Sequence, residues 1–193
     1  MQNRMVNSKQ TLRQCISADI RANYGDKPMN LEARFRGSYP YMVCRYLKVL
    51  RKLEYTCCRR DQSKYRLVAM FLAQKVKLLD RRKNRLGLKF GIEIPIHRVA
   101  PGVRIAHPNV ILNGYVGEGC VFHGNNVLGN KRTGDSTSIP RLGKNVDVGI
   151  GAMIIGDVKI ADDCIIGAGA VVTKSFIEPG AVIVGIPAKT LRG

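Results

Sequence analysis

The chain reads as mainly β, a parallel β-helix preceded by an α-helical region, and three observations lead there. Leu142, Val148, Ile154, Ile160, Ile166 and Val172 stand six residues apart without a break. Val146, Ala152, Val158, Cys164 and Ala170 stand four places after the first five of these, each small or apolar. An earlier run, Val110, Val116, Phe122 and Leu128, carries the same beat, with Gly117 and Gly129 in the slot that Gly143, Gly149 and Gly167 occupy later. Neither a 3.6-residue helix nor an isolated two-period strand produces such a rhythm. Short rungs that stack do, because no single repeat can bury its own apolar face.

The rest of the chain divides by charge. Residues 34–90 hold 17 basic and 3 acidic side chains, +14 of the total +18. The expected organisation is therefore a basic α-helical region over 1–89 and a β-helix over 90–193. Residues 1–33 are polar, with a short helix expected around Leu12 to Ile20 and a turn at Tyr24 to Pro28. From Tyr41 the spacing is helical: Val43, Leu47, Leu50 and Leu53 form one apolar stripe, with Arg45, Lys48, Arg51 and Lys52 off it. A second helix is expected from Lys64 to about Arg82, with Leu67, Met70, Phe71, Val76 and Leu79 toward a core and Gly87 as its stop. Rungs begin near Gly91. The beat breaks over 130–140, where Pro140, Gly134 and several charges predict a protruding loop able to close over the histidines. A last strand, Ala181 to Val184, follows the end of the beat.

Composition excludes several classes. No stretch approaches the ~18 apolar residues of a membrane span. The N-terminus has no apolar core or small-residue cleavage site of a signal peptide, which points to the cytoplasm. Six cysteines without C-x-x-C spacing argue for reduced thiols, two of them (Cys120 and Cys164) in inward slots. The basic segment fits a solvated face, a peripheral contact of residues 34–90 with anionic lipid on the inner face of the membrane, or nucleic acid, in that order. No recognised nucleic-acid module accompanies it.

The stretch Gly167–Lys174 (GAGAVVTK), followed by Gly185–Lys189 (GIPAK), resembles the C-terminal motif of the hexapeptide acyltransferases. Ala106-His107-Pro108, with Gly91-Ile92-Glu93 upstream, resembles the serine acetyltransferase branch, and most of all its short relatives in capsule and exopolysaccharide synthesis. The resemblance implies a left-handed β-helix, a homotrimer, and acetyl-coenzyme A bound between subunits with no metal. It assigns His107 as the general base and Glu93 as the carboxylate that orients it. It places Ile150, Ala168, Thr173, Lys174 and Lys189 against the cofactor. Apart from the resemblance, His123 follows inward Phe122 and so should point outward, and it is expected with Arg141 to meet the acceptor.

Acetyl transfer to a hydroxyl needs a proton acceptor, and a neutral imidazole suits that task. Histidines at 97, 107 and 123 could also be zinc ligands on a β-helix, but their spacing shows no convergence. True serine acetyltransferases carry an aspartate where this chain has Ala106, and an Arg–His pair where it reads Ser138-Ile139-Pro140-Arg141. The chain also stops within ten residues of the last strand, without the tail by which those enzymes engage a partner. These departures favour a sugar hydroxyl, on a small molecule or a lipid-linked sugar, as acceptor. Serine O-acetylation is the alternative, and a non-catalytic scaffold binding membrane or nucleic acid is the remote one.

Overall fold

The computed structural model describes residues 6–25, 35–132, 134–135 and 137–191, in two compact units, 1–90 and 91–193. Asp26 to Pro28 of the expected turn, and Thr133 and Ser136 of the loop, lie outside the described residues.

In the first unit, three helices are described: α1 (Lys9–Tyr24), α2 (Tyr39–Asp61) and α3 (Arg66–Phe90). α1 starts at a capping box, in which Ser8 Oγ accepts from Thr11 N and Thr11 Oγ1 accepts from Ser8 N. The α2 stripe is buried as its spacing predicts: Val43, Leu47, Leu50 and Leu53 are all inside. Arg51, read as off the stripe, is buried too. Its guanidinium donates to Asp19 of α1 at 2.8 Å and to Glu54 at 3.2 Å. Burial works to lower its pKa, but the two carboxylates outweigh that and hold it above its ordinary value.

α3 departs furthest from its expected face. Leu67, Met70 and Phe71 are exposed, while Leu72, Leu86 and Phe90 are buried. The true stripe runs 72, 76, 79, 83, 86, 90, and the sequence reading merged its middle with a second apolar arc on the opposite side. Gly87 does not stop the helix, which runs three residues further; Gly91, at φ 65°, leaves it.

The second unit is a left-handed β-helix with three faces. Face 1 stacks β1 (Ile92–Glu93), β3 (Val110–Leu112), β6 (Val127–Gly129), β9 (Met153–Ile155) and β12 (Val171–Val172). Face 2 stacks β4 (Tyr115–Val116), β7 (Arg141–Leu142) and β10 (Lys159–Ile160). Face 3 stacks β2 (Arg104–Ile105), β5 (Val121–Phe122), β8 (Asp147–Val148), β11 (Ile165–Ile166), β13 (Val182–Val184) and β14 (Lys189–Thr190). All pairings are parallel except β13–β14, an antiparallel return absent from the sequence reading.

The eleven inward positions of the later beat are all buried, as are Val110, Val116, Phe122 and Leu128. Each coil places its apolar residues under those of the next, so Phe122, Val148 and Ile166 share one column. All six cysteines are buried, and burial pushes the Cys44 and Cys120 thiols up to about 11. Such thiols fill space rather than react.

Candidate active site

The chain turns three times per coil, and each turn belongs to one edge of the prism. The edge between faces 3 and 1 carries His107. The strand register sets His107, Gly124, Ile150, Ala168 and Gly185 in one column there, and Ala106, His123, Gly149, Gly167 and Val184 in the column beside it. His107, Ile150, Ala168 and Gly185 are exposed.

The corner is built to carry His107. A Cβ on Gly124, whose φ is 108°, would stand 2.6 Å from His107 Cβ, so only glycine leaves room there. Gly124 N donates to Asn126 Oδ1 at 2.9 Å. Asn126 is fully buried, and its Nδ2 donates to Gly149 O at 2.8 Å and Ala152 O at 3.3 Å. This one amide ties the turn beneath His107 to the next coil. Asn109 Nδ2 donates to Asn125 Oδ1 at 3.0 Å, adding a second tie on the same edge. Neither asparagine was singled out in the sequence; an Asn two residues after a Gly at a coil corner was the available sign.

Further along this edge the backbone is bare. A Cβ on Gly149 would lie 2.6 Å from Ala168 N and 2.8 Å from Gly167 C, so no side chain can stand there. Gly149, Gly167, Ala168 and Gly185 leave a strip of main chain, and Lys189, paired with Val184 on β14, stands exposed at its end. A thin chain carrying phosphates fits such a strip: backbone groups for the chain, an ammonium for the phosphate.

The other expected site residues lie elsewhere on the subunit. Glu93 is exposed on face 1 in register with Ile111, and no hydrogen bond joins it to His107. At the other edge histidine, Asp147 Oδ1 lies 2.9 Å from His123 Nε2. Arg141 belongs to face 2, where its guanidinium and that of Arg98 both lie over the Tyr115 ring, at 4.7 and 4.6 Å. Thr173 and Lys174 follow β12 on the edge between faces 1 and 2, with Lys174 Nζ 5.5 Å from the Phe176 ring.

The 130–140 loop also springs from that second edge, between β6 and β7. Inside it, hydrogen bonds from Ser138 and Thr137 hold the Asp135 carboxyl well below the usual range, and Ile139 anchors the return in the core. The residues expected at the site therefore lie on both borders of face 1.

Comparison with known proteins agrees with this architecture. The family described as bacterial transferase hexapeptide (six repeats) matches residues 140–174. Serine acetyltransferase of Helicobacter pylori is 34% identical over 132 residues, covering 66% of this chain and 77% of that protein. The Synechococcus elongatus serine acetyltransferase is 30% identical, covering 66% and 54%, and one from Buchnera aphidicola is 29% identical, covering 57% and 44%. The chain thus spans about half the length of the last two relatives. Among solved structures, Brucella abortus serine acetyltransferase superposes with a TM-score of 0.63 at 20% identity, over 95% of this chain and 70% of that one. Soybean serine acetyltransferase gives 0.57 at 26% identity, over 95% and 70%. A serine acetyltransferase solved in complex with CoA gives 0.61 at 18% identity, over 95% and 71%.

Proposed function

Because the chain belongs to the serine acetyltransferase family of hexapeptide-repeat transferases, we propose that it is an acetyl-coenzyme A-dependent O-acetyltransferase. The observation that carries this reading is His107, exposed at the head of a strip of bare backbone that ends at Lys189.

In the proposed reaction the acceptor hydroxyl attacks the thioester carbonyl while His107 takes its proton. The tetrahedral adduct collapses, the C–S bond breaks, and the imidazolium returns the proton to the leaving thiolate. A base placed this way contributes roughly 10²–10⁴-fold. Ile150, Ala168 and Lys189 would line the coenzyme on the histidine edge. Thr173, Lys174, Arg141 and the 130–140 loop reach that edge only from a neighbouring copy. A homotrimer, with face 1 borders of adjacent subunits brought together, would join the two half-sites.

Serine is the acceptor that the relatives' names favour. A sugar hydroxyl is the second reading, supported by Ala106 and Ser138–Arg141, which offer no free carboxylate beside His107 for an ammonium group. Thiol release from acetyl-coenzyme A, measured over serine, simple sugars and nucleotide sugars, decides between them. Rapid release with serine alone would remove the sugar reading.

We also infer a peripheral contact between α3 and anionic lipid. No described helix is long and apolar enough to cross a membrane. Yet Leu67, Met70, Phe71 and Leu78 are exposed on a helix that carries eight basic residues and one acidic. Each basic residue near an anionic surface contributes ~1 kcal/mol. Co-sedimentation with phosphatidylglycerol vesicles but not phosphatidylcholine vesicles is the expected result; equal recovery with both would refute it.

A further inference from the structure

One imidazole–carboxylate pair stands on the proposed catalytic edge, and the mechanism above does not use it. His123 and Asp147 come from successive coils, 24 residues apart in sequence, and meet at 2.9 Å with each side chain a little under half exposed. As a stabilising contact the pair matters little, because ion pairs this open to water contribute about 0–1 kcal/mol. Its surroundings point to another use. Ala106 lies on one side of His123 in its column and Gly149 on the other. Gly149 cannot carry a side chain, since its Cβ would meet the backbone of Gly167 and Ala168. The ring therefore stands in a notch that the fold keeps open, one coil from His107.

The Asp147 carboxylate, 2.9 Å from Nε2, favours a proton on that nitrogen. A neutral imidazole that donates from Nε2 carries its lone pair on Nδ1. His123 Nδ1 has no hydrogen-bond partner among the described residues. This is the tautomer-fixing role that a carboxylate plays behind a histidine in a catalytic triad.

We propose that Asp147 is a positioning residue that holds His123 ready to accept a hydrogen bond, through Nδ1, from a second donor group of the acceptor. His107 then handles the hydroxyl that reacts, and His123 selects acceptors that carry another hydroxyl or an ammonium N–H nearby. The assignment rests on the O-acetyltransferase reading for its substrate, but not for the state of the ring.

The full chain would be assayed by thiol release, with acetyl-coenzyme A and L-serine, and with D-glucose as the second acceptor. His123→Ala and Asp147→Asn should each raise the acceptor KM about 10-fold, the loss of one hydrogen bond of this kind. The KM for acetyl-coenzyme A and the thermal midpoint should stay as in the wild type, and Asp147→Glu should recover most of the loss. Kinetics of Asp147→Asn within twofold of wild type would overturn the proposal, as would a loss confined to the acetyl-coenzyme A KM or to thermal stability. Nitrogen-15 spectra of the histidine rings give a readout independent of turnover. The wild type should show His123 protonated on Nε2, and Asp147→Asn should mix the tautomers. A wild-type ring protonated on Nδ1 sinks the proposal. Thiol release with neither acceptor would count against the acetyltransferase reading instead, and leaves the ring spectrum to decide the role of Asp147.

Discussion

The two units obey different rules about what a sequence pattern reveals. In the β-helix, a residue's place in the six-residue beat fixes whether it points in or out, because every rung is stacked on another of the same kind. In the helical unit, apolar spacing shows only that a stripe exists; which stripe is buried depends on the partner it meets. All eleven beat positions are buried, whereas three of the five α3 residues expected inside are exposed. Periodicity that is propagated by identical neighbours is self-checking. Periodicity on a lone helix is not.

That contrast can be broken or sharpened by mutation, read as urea unfolding of the full chain with hydrogen exchange followed in each unit. The largest effect is expected in the helical unit. Arg51→Met removes a buried cation that both Asp19 and Glu54 bind, and removing one member of such a cluster costs about 3–5 kcal/mol. Replacing all three by apolar residues of similar size should restore most of it, since the ions' own desolvation disappears as well. A triple variant as unstable as Arg51→Met would show that the cluster contributes more than mutual neutralisation.

In the β-helix, Ile154→Ala removes a fully buried rung side chain and should cost about 2–5 kcal/mol, with exchange rising over residues 91–193 and not over α2. Gly149→Ala forces a methyl into the next coil's backbone and should cost about 1–3 kcal/mol. The smallest change is expected at Phe71→Ser, within ~0.5 kcal/mol, because the ring touches solvent. A cost above ~2 kcal/mol there would mean that a second copy covers this arc, in place of lipid.

The same difference explains how far the site was legible. Ile150 and Ala168 stand one 18-residue coil apart, so the beat itself puts them in one column. Asp147 was missed because its coil is not of equal length. From Phe122 to Val148 is 26 residues, against 18 from Val148 to Ile166, the excess being the loop. Subtracting the loop before counting would have set Asp147 beneath Val121, next to His123. Glu93 was chosen by alignment with a related motif, and it stands on face 1 in register with Ile111. Arg51 was illegible for a different reason: its partner Asp19 lies 32 residues away on another helix, and no local pattern announces a buried ion pair. Arg141, Thr173 and Lys174 have the right chemistry, and on one subunit the wrong edge.

The account stands on the claim that the corner imidazole at 107 performs the proton transfer. The direct test is thiol release from acetyl-coenzyme A by His107→Ala, alongside calorimetric binding of coenzyme A to the same protein. The account predicts release reduced by about 10²-fold or more with coenzyme A affinity unchanged. Release at the wild-type rate would contradict it.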